Sequence, residues 1–125
     1  MAHAGFEELE VYKAARQLRK MIYRLANKLP ESERFGLVQR MKRVALSLTN
    51  NLAESHGRVH YQEGLLFCRK AQRYLSELLD SLDICVDKSY CSKNDCEPFR
   101  RQAQTVRRLL NVYLGELKDR FDAPG

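Results

Sequence analysis

"VYKAARQLRKMIYRLANKL", residues 11 to 29, is the stretch from which the fold can be read. Its apolar residues Val11, Ala15, Leu18, Ile22, Leu25 and Leu29 recur at alternating spacings of four and three, the pattern of a helix laid lengthwise along another. Pro30 then closes the segment. Lys13, Arg16, Lys20, Arg24 and Lys28 are interleaved with this stripe, also three or four apart, so they share a second face and form a basic rail some four turns long.

Three further stretches repeat the apolar pattern. Leu37, Met41, Val44, Leu48 and Leu52 mark a second helix, with Gly57 placed to end it in the left-handed conformation. Cys68, Ala71, Leu75, Leu78, Leu82 and Cys85 mark a third. Phe99, Ala103, Val106, Leu110, Tyr113 and Leu117 mark a fourth, opened by Asn94-Asp95 as a capping pair ahead of Glu97-Pro98. Strand signals are absent, since no period-two run or Asn-Gly hairpin occurs. The short connections near residues 30–32, 57–60 and 89–94 force neighbouring helices to run antiparallel. The expected fold is all-α, an antiparallel up-down-up-down four-helix bundle in a single domain, with helices at roughly 6–29, 33–55, 61–88 and 95–121.

Composition agrees with one soluble, folded domain. The 125 residues are 44% hydrophobic and 30% charged, and glycine and proline number only 6 and 3. No run approaches the length of a membrane span, and the first five residues lack the layout of a signal peptide, so a cytoplasmic protein with no membrane partner is expected. Cys68, Cys85, Cys91 and Cys96 are read as thiols, and the Cys91-x4-Cys96 spacing matches no recognised zinc site.

Charge points to the partner. The formal net charge is +6, and the rail of the first helix is supplemented by Arg40, Lys42 and Arg43 in the second helix and by the pairs Arg100-Arg101 and Arg107-Arg108 in the fourth. A stripe of cations matches a phosphate backbone, because neutralising each phosphate releases a counterion. RNA or DNA backbone is therefore the expected partner, and sequence-specific readout is not, since no helix-turn-helix, zinc finger, basic zipper or RNA-recognition strand motif occurs. A competing reading has the rail neutralised by the acidic stripe Glu77, Asp80, Asp83 and Asp87 of the third helix, in the same subunit or a neighbour.

Catalysis finds little support. His56 and His60, with Glu54 and Glu63 nearby, form the best available cluster, but its spacing fits no zinc motif and a polar turn explains it more simply. No phosphate-cradling glycine loop or serine elbow occurs. The expectation is no enzyme, no catalytic residue, no metal and no cofactor. Leu46, Leu66, Leu79, Leu109 and Leu114 lie off the main seams, either as part of a wide core stripe or as a self-association surface.

"FEELEVYKAARQLRKMIYRL" (6–25), "ERFGLVQRMKRVALSLTNNLAESHGR" (33–58) and "LLFCRKAQRYLSELLDSLDIC" (65–85) resemble, in that order, the bacterial four-helix bundle proteins encoded within intervening sequences of large-subunit ribosomal RNA genes. That family in turn looks related to the accessory variability proteins of diversity-generating retroelements. The most specific elements are Arg34-Phe35-Gly36-Leu37, Lys42-Arg43, and Asn51-Leu52-Ala53-Glu54 leading to Gly57-Arg58. The chain departs from the pattern at Thr49, where the family usually has proline, at Ser55, where it has glycine, and at Arg73-Tyr74, where a Gly-Ser pair is common. The resemblance implies a homo-oligomer, a closed homopentameric ring, with a positive surface that associates with RNA. In the retroelement relatives it implies a nucleic acid and a reverse transcriptase as partners, the latter role being that of an accessory scaffold.

Asn51 falls three residues after Leu48, on the inward seam, where a polar side chain fixes register and partner number at some cost in stability. Glu54, near a helix C-terminus, calls for a cation such as Arg58, or Arg40 or Arg43 of an adjoining copy. The plainer reading is that Asn50, Asn51 and Ser55 satisfy loose carbonyls as the helix ends.

Overall fold

The computed structural model describes residues 5–57 and 60–122. The described residues form four helices, α1 (Glu10–Asn27), α2 (Leu37–His56), α3 (Tyr61–Asp87) and α4 (Lys93–Asp122), with single 3-10 turns at Phe6–Glu8 and Glu31–Glu33. No strand occurs among the described residues. The fold is an all-α four-helix bundle. The expected starts of the first two helices, near residues 6 and 33, fall in these 3-10 turns, and α4 begins two residues earlier than expected.

Helix α1 packs on α2 and α4, as does α3, while α1 and α3 make no mutual contact among the described residues. They therefore occupy opposite corners of a square. Cross-helix pairs give the directions. Asn27 accepts a hydrogen bond from Lys42 (2.6 Å) whereas Arg19 reaches Thr49 (2.7 Å), so α1 and α2 run oppositely. Asp80 meets Arg40 at 3.8 Å while Gly64 lies against the Ser55 carbonyl, which sets α3 against α2. Asp83 meets Arg100 while Gly64 faces Leu117, which sets α4 against α3. Gly64 permits this close approach, since a Cβ there would stand 3.2 Å from a Leu117 methyl.

The core follows the expected seams with one rotation. Val11, Ala15, Leu18 and Ile22 are buried, but the next buried residue is Ala26, and Leu25 and Leu29 are only half-buried. A straight helix turns every 3.6 residues, so a seam written in alternating threes and fours drifts off the core within a few turns. All the seam residues named for α2 and α3 are buried, and in α4 only Phe99 falls short. Among the described residues Thr49, Ser55 and Ser81 are buried and polar, each donating its hydroxyl to a carbonyl three or four residues back in its own helix. Of the off-seam leucines, Leu46 and Leu66 are exposed, whereas Leu79, Leu109 and Leu114 pack against the core.

Two helix ends differ from expectation. Gly57 sits at φ −80°, in the right-handed region, where its N–H continues the turn to the Glu54 carbonyl at 3.2 Å. Helix α4 is capped by Ser92 instead of Asn94-Asp95. The Ser92 hydroxyl accepts from the Asp95 N–H (3.0 Å) and the Asp95 carboxylate accepts from the Ser92 N–H (3.1 Å), a reciprocal capping box. These bonds hold the Asp95 carboxyl below its usual range.

The helix end that does turn left-handed is that of α3, at Ser89, with φ 62°. The Tyr90 N–H bonds the Cys85 carbonyl and the Ser89 N–H bonds that of Val86, both at 2.9 Å, so α3 closes in a Schellman motif with serine in the glycine position. Ser89→Gly removes the Cβ clash of that conformation and is expected to stabilise the fold by roughly 0.5 to 1 kcal/mol. A rise in urea midpoint without a change in slope would confirm it, and an unchanged midpoint would refute it.

The two turns at this end are tied together. Glu33, its side chain 12% exposed, accepts from Lys88 at 2.8 Å and from the Tyr90 hydroxyl at 2.5 Å. Lys88, then Tyr90, hold its carboxyl below the ordinary 4.5, and Glu33 in turn raises both partners above their usual values. A depressed carboxyl contributes stability above its unfolded value, and that contribution is lost as pH falls through the folded one. The destabilisation caused by Glu33→Gln should therefore be full at neutral pH and fade in acid only as the pH falls through the folded-state value, which lies below the ordinary 4.5. Urea unfolding at stepped pH measures it, and a difference that persists into acid would show that charge is not what Glu33 supplies.

Candidate nucleic-acid interface

All five rail residues are exposed: Lys13, Arg16, Lys20 and Arg24 on α1, on the side away from Val11, Ala15, Leu18 and Ile22, and Lys28 at its C-cap. Lys13 is engaged by Glu10 at 3.5 Å and Glu8 at 3.9 Å. The other four have no carboxylate within ion-pair distance among the described residues. The acidic stripe does not neutralise them within the subunit, because α3 occupies the opposite corner. Asp80 goes to Arg40 and Asp83 to Arg100.

Open grooves lie along the rail. One, of about 450 Å³, is lined by Lys13, Arg16 and Lys20 together with Phe6 and Tyr12, whose rings meet edge to face at 4.8 Å. The other, of about 410 Å³ between α1 and the start of α4, is lined by Arg24, Lys28, Tyr90, Cys91 and Phe99 among others. Cations beside aromatic rings are the combination that holds unpaired nucleotides, charge for the phosphates and ring faces for the bases. Of the aromatic members, Phe6 and Tyr90 were not apparent from sequence, because they lie outside the helical periodicity of the chain.

The remaining basic residues are dispersed around the bundle. Lys42 turns towards α1, bonded to Asn27 and 5.7 Å from the centre of the Tyr23 ring. Arg40 faces α3, and Arg43 is exposed. Arg107 and Arg108 are exposed, but Arg107 lies two turns beyond Arg100, which contacts α3, whereas Gln102 marks the α1 side by bonding the Ala14 carbonyl at 2.9 Å. Arg107 is thus on the α3 side of α4 and is not continuous with the rail of its own subunit.

A family model described as 23S rRNA-intervening sequence protein matches residues 7–112. The chain belongs to that family. No curated protein matches it. The family match covers the whole rail and nearly all of the bundle, including the four unpaired cations.

The positions read as register residues in this family member are placed differently from expectation. Asn51 is half-buried and donates to the Ser47 carbonyl of its own helix at 2.7 Å, so it is not on the inward seam. That seam passes from Leu48 to Leu52 and Ser55, one residue further round. Glu54 is half-buried and engaged, and Arg58 lies outside the described residues. Two polar contacts tie α2 to its neighbours at positions where the chain departs from the family pattern: Arg19 donates to the buried Thr49, where the resemblance leads one to expect proline, and the buried Ser55 hydroxyl, where it leads one to expect glycine, bonds that of Tyr113 at 3.2 Å. Sequence reading missed Arg19 because it sits between the rail and the seam. Among the described residues no three His, Cys, Asp or Glu side chains converge as metal ligands, and no helix is long and apolar enough to cross a membrane.

Proposed function

We propose that this protein binds RNA through its phosphate backbone, without catalysis, and that Arg16, Lys20, Arg24 and Lys28 carry the contact. One observation carries the reading: four exposed cations in line along α1 and its C-cap have no ion-pair partner among the described residues, while Asp80 and Asp83 of the acidic stripe are engaged by Arg40 and Arg100. A solvated helix surface evolved only for solubility would be expected to mix both signs along each face. The family's association with ribosomal RNA genes supports RNA over DNA. Arg43, Arg107 and Arg108 extend the contact where several copies form a homo-oligomer, a ring in which separate basic faces border one another.

Fluorescence anisotropy with a labelled structured RNA tests the proposal as salt is raised. Four backbone contacts give a slope of about −3 to −4 in log affinity against log salt. A flat response, or no binding at low salt, overturns the RNA reading.

A second reading, a protein-interaction scaffold, draws on Phe35 (81% exposed), Leu66 (52%) and Val112 (51%). It gains if the salt response is flat.

A further inference from the structure

The Sγ atoms of Cys91 and Cys96 stand 2.8 Å apart, and the start of α4 explains why. Ser92 is the N-cap and Asp95 completes the capping box, which leaves Cys91 immediately before the cap and Cys96 in the fourth helical position. Those two positions meet across the mouth of a capped helix, where an apolar pair commonly staples the entering chain. Here the staple is made of two thiols, both free. They differ in access: Cys96 is fully buried, while Cys91 is half-exposed and lines the groove flanked by Arg24 and Lys28.

We propose that Cys91 and Cys96 are a redox-reactive dithiol that closes to an intrachain disulfide by reducing a small anionic disulfide of the glutathione type, with Cys91 as the entry thiol. Arg24 and Lys28, which outnumber the one carboxylate lining the groove, that of Asp95, attract the carboxylates of the oxidant. Cys91 gives up its proton to water, and its thiolate attacks one sulfur of the oxidant. The oxidant's S–S bond breaks, a mixed disulfide forms on Cys91, and one small thiolate leaves and takes up a proton. Cys96 then loses its proton and attacks the Cys91 sulfur, expelling the second small thiolate, which is protonated in turn. Two electrons have passed from the protein to the oxidant, and one disulfide has replaced another.

The order of events follows from the surroundings of each sulfur. Burial, then the contact with Cys91, pushes the Cys96 thiol up to about 12, so it does not react first. Once Cys91 carries the mixed disulfide it is no longer a competing thiolate, and that part of the barrier to ionising Cys96 is removed. Closure from 2.8 Å to a bond of about 2.05 Å needs a movement of less than about 1 Å. Cys68 and Cys85 are fully buried and held as thiols, each pushed up to about 11 by burial. A reversible disulfide of this kind fits a reducing compartment, where such bonds are redox-sensing and transient.

The test incubates the reduced full-length protein with stepped ratios of oxidised to reduced glutathione, traps remaining thiols with N-ethylmaleimide under denaturing conditions, and maps the peptides. Trapped thiols should fall from four to two, with Cys91 linked to Cys96 in the same chain and dithiothreitol restoring both. Cys96→Ser should stop at one glutathione adduct on Cys91, and Cys91→Ser should take none. The proposal is overturned if wild type stops at an adduct, links through Cys85 or between chains, or keeps its four thiols. The wild-type map decides the matter even if a variant folds poorly.

Discussion

Replacing Arg16, Lys20, Arg24 and Lys28 together by alanine is expected to remove most of the salt-dependent affinity for RNA. Four phosphate contacts make the affinity of the parent fall about a hundredfold between about 50 and 200 mM salt, and the variant should lose that share of the fall. Near physiological salt its affinity should lie about a hundredfold or more below the parent's. These four are exposed and opposite the core, so the fold should be unaffected and circular dichroism should coincide with the parent's. Arg40→Ala with Arg100→Ala is the control, because both guanidiniums are already held by Asp80 and Asp83 and have less to give a phosphate. Parallel salt curves for parent and rail variant would refute the assignment, and an equal loss in the control would move the contact from the rail to overall charge.

Leu48→Ala should have the largest effect on stability. Leu48 is fully buried midway along α2, next to Thr49, which is bonded to α1. Truncating a leucine so enclosed removes its transfer free energy and leaves a cavity that rigid neighbouring helices fill only in part, costing about 2–5 kcal/mol. For a domain of this size that lowers the melting temperature by roughly 10 °C or more. Leu46→Ala, two residues away at 43% exposure, should change stability by less than about 0.5 kcal/mol as a monomer. The two should be compared by urea unfolding at one protein concentration, since association would itself shift the midpoint. Similar losses at both positions would mean that Leu46 is covered by another copy.

This pair also shows what could be read from sequence. Leu46 and Leu48 are the same residue type, and only the helical period separates them, which is why the α2 and α3 seams could be written down correctly. The period fails where it accumulates error, at Leu25 against Ala26, and it cannot by itself choose between Asn51 and Leu52, three and four residues after Leu48. It is silent where a turn decides the outcome. The Ser92–Asp95 capping box has the required spacing, yet Asn94-Asp95 is equally plausible as a cap until the bonds are seen. The basic rail was legible because five cations on a single helix need no tertiary information to share a face. Its freedom from acidic partners was not legible, since that depends on α3 occupying the far corner. Nor could Glu33 be linked to Lys88 and Tyr90, which are more than fifty residues away in sequence.

Because Glu33 grips both turns at once, the corner that carries Tyr90, Arg24 and Lys28 is already assembled before any ligand arrives. A strand docking there meets a tyrosine already held in place, so ordering entropy is surrendered by the exposed Arg24 and Lys28 side chains and by the nucleic acid, and little by the turns themselves. Affinity at this end should consequently depend on how stiff the RNA is.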